Sequence, residues 1–211
     1  MKGLNSGLLR YNLKLIPKAG LIVSALLLLA IQAIFSLEIV DFLDMARIGE
    51  TYISILGIIL IPGAVFIDEN ADIKEIIHSK SVSAVIPSII RLIYLVTLLF
   101  FGIVIFVVAA VVQGGNFNQG SIIAGVFISA LLLGATGYLV GTFSKNMALS
   151  YLITFGYYGL ELFTRGKYTK GFYLFSLQNG HLQRGKWVLF AIALLFFVIS
   201  LTYMGNKKTC I

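Results

Sequence analysis

Apolar and polar residues alternate along this chain in long blocks. Six apolar stretches lie at residues 19–37, 51–67, 92–112, 121–142, 147–163 and 187–204. A helix rises ~1.5 Å per residue, so roughly 20 apolar residues cross a hydrocarbon layer of ~30 Å. A single stretch can satisfy its backbone within lipid only as a helix. The pattern predicts an all-α integral membrane protein with six transmembrane helices.

The polar intervals are too short to form a second folded unit. The longest lie near 68–91 and 161–186, and both are interrupted by apolar residues. Neither can bury a core of its own, so we expect one transmembrane domain over residues 1–211. The first apolar stretch is interpreted as a retained span rather than a cleaved signal peptide, because acidic residues follow it instead of a small-residue cleavage site.

The composition agrees with a membrane location. The chain is 59% hydrophobic and 12% charged, with a mean hydropathy of +0.97, values that are unusual for a soluble domain. Its single cysteine, Cys210, excludes an intrachain disulfide.

The distribution of Lys and Arg predicts the orientation. Four cations precede the first apolar stretch, whereas the loop after it carries four acids and only Arg47. Cytoplasmic segments are enriched in Lys and Arg, so a multi-pass protein of the cell membrane with both termini cytoplasmic is expected. The loop at 164–186 departs from the trend because it carries Arg165, Lys167, Lys170, Arg184 and Lys186. Either the earlier spans hold this loop outside, or stretch 147–163 is not a true span; Lys207 and Lys208, which also need the inside, favour the first.

The segment 1–18 is amphipathic. One helical face would carry Leu4, Leu8, Tyr11 and Leu15. Arg10, Lys14 and Lys18 would then meet anionic lipid headgroups, as in a helix that lies in the membrane interface. The alternative is a frayed leader whose charges only set the orientation.

The loop at 68–82 combines charge with an apolar stripe. Ile73, Ile76 and Ile77 have helical spacing, and Asp72 would lie in the first turn. A short cytoplasmic helix of this kind can dock a soluble partner. A charged connector that rests on the bilayer remains the alternative.

Motifs for catalysis or metal binding are missing from the sequence. There is no Gly-x-x-x-x-Gly-Lys-Ser/Thr loop and no Gly-x-Ser-x-Gly elbow, and His78 and His181 are the only histidines. We expect no catalytic residue, no metal site and no cofactor within the chain, which is therefore not an enzyme. Arg91 is expected to extend to the interface, and the spans beyond it are free of charge up to Glu161. This pattern argues against a proton relay or a voltage sensor.

Small residues cluster on the fourth apolar stretch. Gly125, Gly134, Gly137 and Gly141 occur there, and the last two form a GxxxG pair. Glycines let two membrane helices approach closely, so this stretch is expected to provide a packing face.

Three stretches carry a resemblance to a known family. They are Phe66-Ile67-Asp68-Glu69 with the following Ile76-Ile77-His78-Ser79, then Gly141-Thr142-Phe143-Ser144-Lys145-Asn146, and the aromatic run Tyr173-Leu174-Phe175. With the basic N-terminal segment and six spans, the chain resembles the permease subunit of a type 2 ATP-binding cassette (ABC) exporter. It departs from the family in Ala71-Asp72, where a glycine is common, and in its basic last external loop.

The resemblance implies a half-transporter with partners. These would be two ABC ATPase subunits, which hold the ATP and Mg²⁺, and a second permease subunit, identical or related. Coupling to the ATPase would be carried by residues of the 68–82 loop: Glu69, Asp72, Ile73, Ile76 and Ile77. The cargo would be amphipathic or hydrophobic, such as a peptide, an antibiotic or a lipid.

Two other functional classes are alternatives to an exporter subunit. The chief alternative is an ATP-independent immunity or scaffold protein that binds a membrane-active peptide and needs no docking helix. An ion channel is disfavoured because no ring of acidic residues or filter motif is visible. Membrane lipid is an expected partner and nucleic acid is not.

Overall fold

The computed structural model of the chain describes residues 18–35, 40–69 and 85–206, and every regular element in these ranges is helical. The predicted interfacial helix at 1–18 and the predicted coupling loop at 68–82 therefore fall largely outside the described residues. The helices are α1 (Lys18–Ile34), α2 (Phe42–Ile48), α3 (Ile55–Leu60), α4 (Val85–Val112), α5 (Gln119–Ser144), α6 (Met147–Thr164) and α7 (Arg184–Asn206). A π-helical turn, Gly49–Ile53, joins α2 to α3, and 3-10 helices occupy Pro62–Glu69, Lys170–Phe172 and Ser176–Asn179.

Among the described residues, four helical segments are long and apolar enough to cross a bilayer. They are Phe42–Ile67, Val85–Val112, Gln119–Ser144 and Arg184–Asn206. Helix α1 is shorter, with 17 residues. Helix α6 has 18 residues, but its three tyrosines, two glycines and Glu161 make it less apolar. The all-helical membrane-type fold is thus confirmed.

The second apolar stretch begins earlier than the sequence predicts. Residues 42–50 were expected in the first polar loop, but they are helical and continue into α3 through the π-helical turn. At the other end Pro62, which lacks a backbone N–H, opens the 3-10 helix. We call the whole segment Phe42–Ile67 the broken span. Its hydrogen-bonding pattern changes three times, from α to π, back to α and then to 3-10, while the chain remains helical apart from single turn residues.

Asparagine caps define the starts of two central helices. The Asn118 side chain accepts from Ser121 N at 3.2 Å, and Asn146 accepts from Leu149 N at the same distance. Lys145 ends α5 in the left-handed region, with φ 52°. The connection between α5 and α6 is therefore only two residues long, which makes the two helices antiparallel neighbours.

Helix α5 is the centre of the bundle and packs against the broken span, α4, α6 and α7. Close approach requires glycine on both sides of one contact. A Cβ on Gly57 would lie 1.9 Å from the Ala130 carbonyl oxygen, and a Cβ on Gly134 would lie 2.4 Å from Ile61 Cδ1. The glycines of α5 do form a packing face, as the sequence predicts.

The bundle has two ends, which we name by their loops. The loop end carries the 165–183 loop, the start of the broken span and the start of α7. The opposite end carries Glu69, the start of α4 and the turn at Lys145. Between them, large apolar side chains such as Ile93, Ile105 and Val198 are exposed on the outer faces of α4 and α7. Such surface is compatible with a lipid environment.

Candidate functional site

The 165–183 loop folds back into the bundle instead of lying over it. Leu174, Phe175, Ser176 and Leu177 are all buried. Leu177 packs against α5 where a Cβ on Gly125 would lie 2.2 Å from its Cδ1. The sequence predicts residues 164–186 as an external loop, and the structure adds that its central part, Leu174 to Leu177, is buried as an inserted segment with an apolar core.

A buried ion pair lies beneath this inserted segment. Lys186 Nζ donates to Glu50 Oε1 at 2.5 Å, and both side chains are fully buried. The same ammonium group donates to Ser129 Oγ at 2.6 Å and to the Leu174 carbonyl at 2.5 Å. With the Gly125 carbonyl at 3.4 Å, the lysine has four oxygen partners within hydrogen-bonding distance, enough for the three N–H donors of a buried ammonium group.

Three separate elements bring these groups together. Glu50 lies on the π-helical turn, Ser129 on α5 and Lys186 in the first turn of α7. A π-helical turn widens the helix by one residue and is often found at functional sites. Glu50 Oε1 also accepts from Leu177 N at 3.2 Å, whereas Oε2 has no hydrogen-bond partner in the described part of the chain.

A second carboxylate holds the same inserted segment. Glu161 Oε2, near the end of α6, accepts from Thr169 Oγ1 at 3.2 Å and from Leu174 N at 3.4 Å. Both backbone polar groups of Leu174 are thus bound by charged side chains, its N–H by Glu161 and its carbonyl by Lys186. Charged groups on α6, α7 and the broken span together fix the position of the loop.

Two further contacts tie the loop end together. Tyr158 of α6 donates to the Thr51 carbonyl at 2.6 Å, and Gln178 Nε2 donates to Thr51 Oγ1 at 3.5 Å.

In the loop itself, burial raises the pKa of Tyr173, the carboxylates of Glu50 and Glu161 raise it further, and Arg165 opposes them. We expect this phenol to remain neutral at physiological pH.

An apolar groove runs between α5, α6 and α7. Its volume is about 540 Å³, within the ~300–1,000 Å³ range of ligand pockets. Its walls include Leu132 and Leu139 of α5, Ile153 of α6 and Ile192 of α7. Thr169 and Phe172 of the 165–183 loop also line it, and their place in the chain puts them at the loop end. We call this feature the apolar groove.

The coupling residues predicted from the sequence lie mostly outside the described residues. Glu69 is the last residue of the 3-10 helix that ends the second apolar stretch, at the opposite end from the ion pair. Asp72, Ile73, Ile76 and Ile77 lie in 70–84, and Arg10 and Lys14 lie in 1–17. Lys18 is the first residue of α1 and is exposed. The predicted coupling and interfacial sites therefore lie largely outside the described residues.

The sequence reasoning missed the ion pair. It assigned Glu50 and Lys186 to two different external loops, and it treated Lys186 as an exception to the charge rule. Both residues lie just outside the predicted spans 51–67 and 187–204, so the charges expected within the spans did not include them. The available signal was an acid and a base that each immediately precede a long apolar stretch.

Arg91 also departs from expectation. Its side chain was expected to extend to the interface, but it is 1% exposed and its Nε donates to the Pro87 carbonyl at 3.2 Å. Its long stem is packed within the bundle rather than along the surface. A fourth charged side chain is thus buried among apolar helices.

Comparison of the chain with protein-family models, with curated proteins and with solved structures finds no match.

Proposed function

We propose that this chain is the transmembrane subunit of an ATP-driven exporter that works with a separate ABC ATPase. In this proposal all six apolar stretches span the membrane, so α1 and α6 cross it together with the four longer segments. Both termini and the 70–84 segment face the cytoplasm. ATP and Mg²⁺ bind to the ATPase partner, and a second permease subunit completes the transporter.

The continuity of the broken span is the observation that supports this function most. From Glu50 to Glu69 the chain is helical throughout apart from single turn residues, a length of roughly 30 Å. One end of this segment leads directly into the predicted docking loop 68–82. The other end holds the loop through Glu50. A movement of the docking loop would therefore displace the inserted loop at the opposite membrane surface.

Tight packing makes this segment suited to transmit movement. Gly57 contacts Ala130 backbone to backbone, and Tyr158 of α6 holds the Thr51 carbonyl. Close-packed elements shift as units between discrete arrangements instead of deforming continuously. In the proposed mechanism, ATP-driven closure of the ATPase displaces the broken span and so loosens or tightens the inserted loop.

The surface of the bundle supports an amphipathic or hydrophobic cargo. The walls of the apolar groove are formed largely by Leu, Ile, Val and Phe side chains. No cluster of three or more His, Cys, Asp or Glu that could hold a metal ion occurs among the described residues. A hydrophilic ion would find few partners along such walls.

Purification of the tagged chain from its native cells in a mild detergent, followed by mass spectrometry, tests this function. We expect a stoichiometric P-loop ATPase to be retained. The double substitution Ile73→Asp and Ile77→Asp should remove it, because charges would replace the apolar stripe of the docking segment. Lys145→Asp is the matched control, since Lys145 is exposed at the same end of the bundle and should not affect retention.

A preparation without any ATPase in several mild detergents and in nanodiscs would contradict the proposal. That result would instead favour the ATP-independent immunity or scaffold class. Retention of the ATPase by the Ile73→Asp and Ile77→Asp variant would refute the assigned docking residues.

A further inference from the structure

Two lysines of the 165–183 loop are close in the chain to residues that line the apolar groove. Lys170 lies in the chain between Thr169 and Phe172, which both line the groove, and Lys167 precedes them. Both lysines are exposed, as are Arg165 and Arg184. These four charges, together with the buried Lys186, are the ones that break the positive-inside pattern. Their position beside an apolar groove offers a reason for the exception.

Exposed aromatic residues place this end of the groove at the membrane surface. Tyr168 is 73% exposed and Trp187 is 57% exposed. Tyr and Trp are enriched where headgroups meet hydrocarbon. With these two residues at the interface, the mouth of the groove at Thr169 would lie near headgroup level and the remainder would extend into the hydrocarbon layer.

The dimensions of the groove match one leaflet. Along α7 its lining runs from Leu189 to Phe196, about 10 Å at ~1.5 Å per residue. Half of a ~30 Å hydrocarbon layer is ~15 Å deep. An acyl chain that enters from the loop end would thus occupy the groove for most of the depth of one leaflet.

We propose that the apolar groove binds an acyl chain of an anionic phospholipid whose phosphate lies against Lys167 and Lys170. None of the groove-lining residues is acidic. The carboxylate of Glu161, on α6, is fully buried and accepts hydrogen bonds from Thr169 and Leu174. The headgroup would therefore face cations from the exposed side of the loop.

A second copy of the chain is a poorer occupant than a lipid. Two identical chains usually pair through the same patch on both partners. Such a contact centred on the groove would bring the two cation clusters together. The groove and the cations instead complement a molecule with an apolar chain and a negative head. The inference is independent of the proposed transport function, because a bound lipid requires neither ATP nor a partner.

Native mass spectrometry of the full chain tests the proposal with two lipids of identical acyl chains. We expect one phosphatidylglycerol to be retained per chain in preference to phosphatidylcholine. Lys167→Gln with Lys170→Gln should weaken phosphatidylglycerol retention by roughly tenfold or more, since each surface cation contributes to anionic lipid binding. Lys145→Gln is the matched control, because Lys145 is also an exposed lysine with left-handed backbone, and it should retain the lipid.

A groove-filling variant tests the acyl chain separately. Ile192→Trp should displace the lipid, whereas Leu195→Trp, on the exposed face of the same helix, should not. Equal retention of the two lipids, or unchanged retention in the double lysine variant, would overturn the proposal. So would a change of oligomeric mass in Ile192→Trp with the lipid still bound. If Ile192→Trp does not fold, the lysine variant decides, because its side chains are exposed. Loss of ATPase retention would leave these lipid results unaffected, so the two proposals fail separately.

Discussion

Glu50 and Lys186 form a buried ion pair and also bind the backbone of the inserted segment. Burial of two charges is costly, and their mutual attraction compensates only when further hydrogen bonds satisfy them. Here Lys186 also donates hydrogen bonds to Ser129 Oγ and the Leu174 carbonyl, and one oxygen of Glu50 accepts a hydrogen bond from Leu177 N. Removal of either charge leaves the other buried without its counter-ion.

This asymmetry predicts the outcome of a double-mutant cycle. Glu50→Gln and Lys186→Met should each lower the free energy of unfolding by about 3–5 kcal/mol, because each leaves an uncompensated charge. The double variant should be more stable than the sum of the single effects predicts. Thermal unfolding in one detergent at one pH measures all four proteins.

Arg184→Gln is the control for the cycle. Arg184 lies two residues before Lys186 and is exposed, so its replacement should change the free energy of unfolding by less than about 0.5 kcal/mol. Strict additivity of Glu50→Gln and Lys186→Met would mean that the two side chains do not interact.

Tyr173 predicts a dependence of stability on alkaline pH. An unfolded phenol titrates near pH 10, whereas burial and the two carboxylates raise the pKa of this side chain in the folded protein. As pH rises through 10, the unfolded chain loses the proton first, so stability falls. Tyr173→Phe should lose less stability between pH 9 and 11, measured by the unfolding midpoint. Equal losses in the two proteins would contradict the assigned environment of Tyr173.

At the residue scale, the sequence does not reveal the ion pair for a definite physical reason. A charge at the border of an apolar stretch normally marks the membrane interface, so Glu50 and Lys186 read as loop residues. Their burial depends on the π-helical turn and on the insertion of Leu174 and Leu177. Both features arise from tertiary packing that no local pattern contains.

At the scale of elements, the broken span is the part most constrained by its neighbours. Its contact with α5 leaves no space at Gly57, where a Cβ would meet the Ala130 carbonyl. Helix α5 in turn has glycine at position 134, opposite Ile61. The two elements therefore approach at a distance that only glycine permits.

Gly57→Ala should consequently destabilise the protein. Overpacking against a rigid backbone costs roughly 1–3 kcal/mol or more. Gly156→Ala on α6 is the matched control, because a Cβ there would have no neighbour within 4 Å, and alanine favours a helix by up to ~1 kcal/mol. Unfolding temperatures of the two variants should move in opposite directions. A neutral Gly57→Ala would show that the two elements are further apart than described.

The helices themselves could be predicted well, and their ends less so. Apolar blocks define α4, α5, α6 and α7, and the Asn146 cap accompanies the short turn before α6. The broken span was predicted nine residues too short, from 51 instead of 42, because Asp44, Arg47 and Glu50 give its start the composition of a loop. In the structure the side chains of Asp44 and Arg47 are exposed, whereas that of Glu50 is buried.

At the scale of the whole molecule, the bundle connects two surfaces. The inserted loop is held at one end by Glu50, Glu161 and Lys186, and Glu69, which begins the loop proposed to dock the ATPase, lies at the other. The all-helical membrane fold was predictable from hydropathy alone. The inward folding of the 165–183 loop was not, because its basic and aromatic residues are equally typical of an exposed interfacial loop.

The most direct measurement is the reactivity of a cysteine at Gln178 in a purified complex with the ATPase that we propose as the partner. Gln178 contacts Thr51 of the broken span, and Cys210, the single natural cysteine, is first replaced by serine. The modification rate of Gln178→Cys by a membrane-impermeant maleimide should change by about threefold or more when ATP and vanadate are added, because a ligand shifts the population between two arrangements. Gln113→Cys, exposed in the turn between α4 and α5, should react at a constant rate. Equal rates for Gln178→Cys with and without ATP would contradict transmission through the broken span.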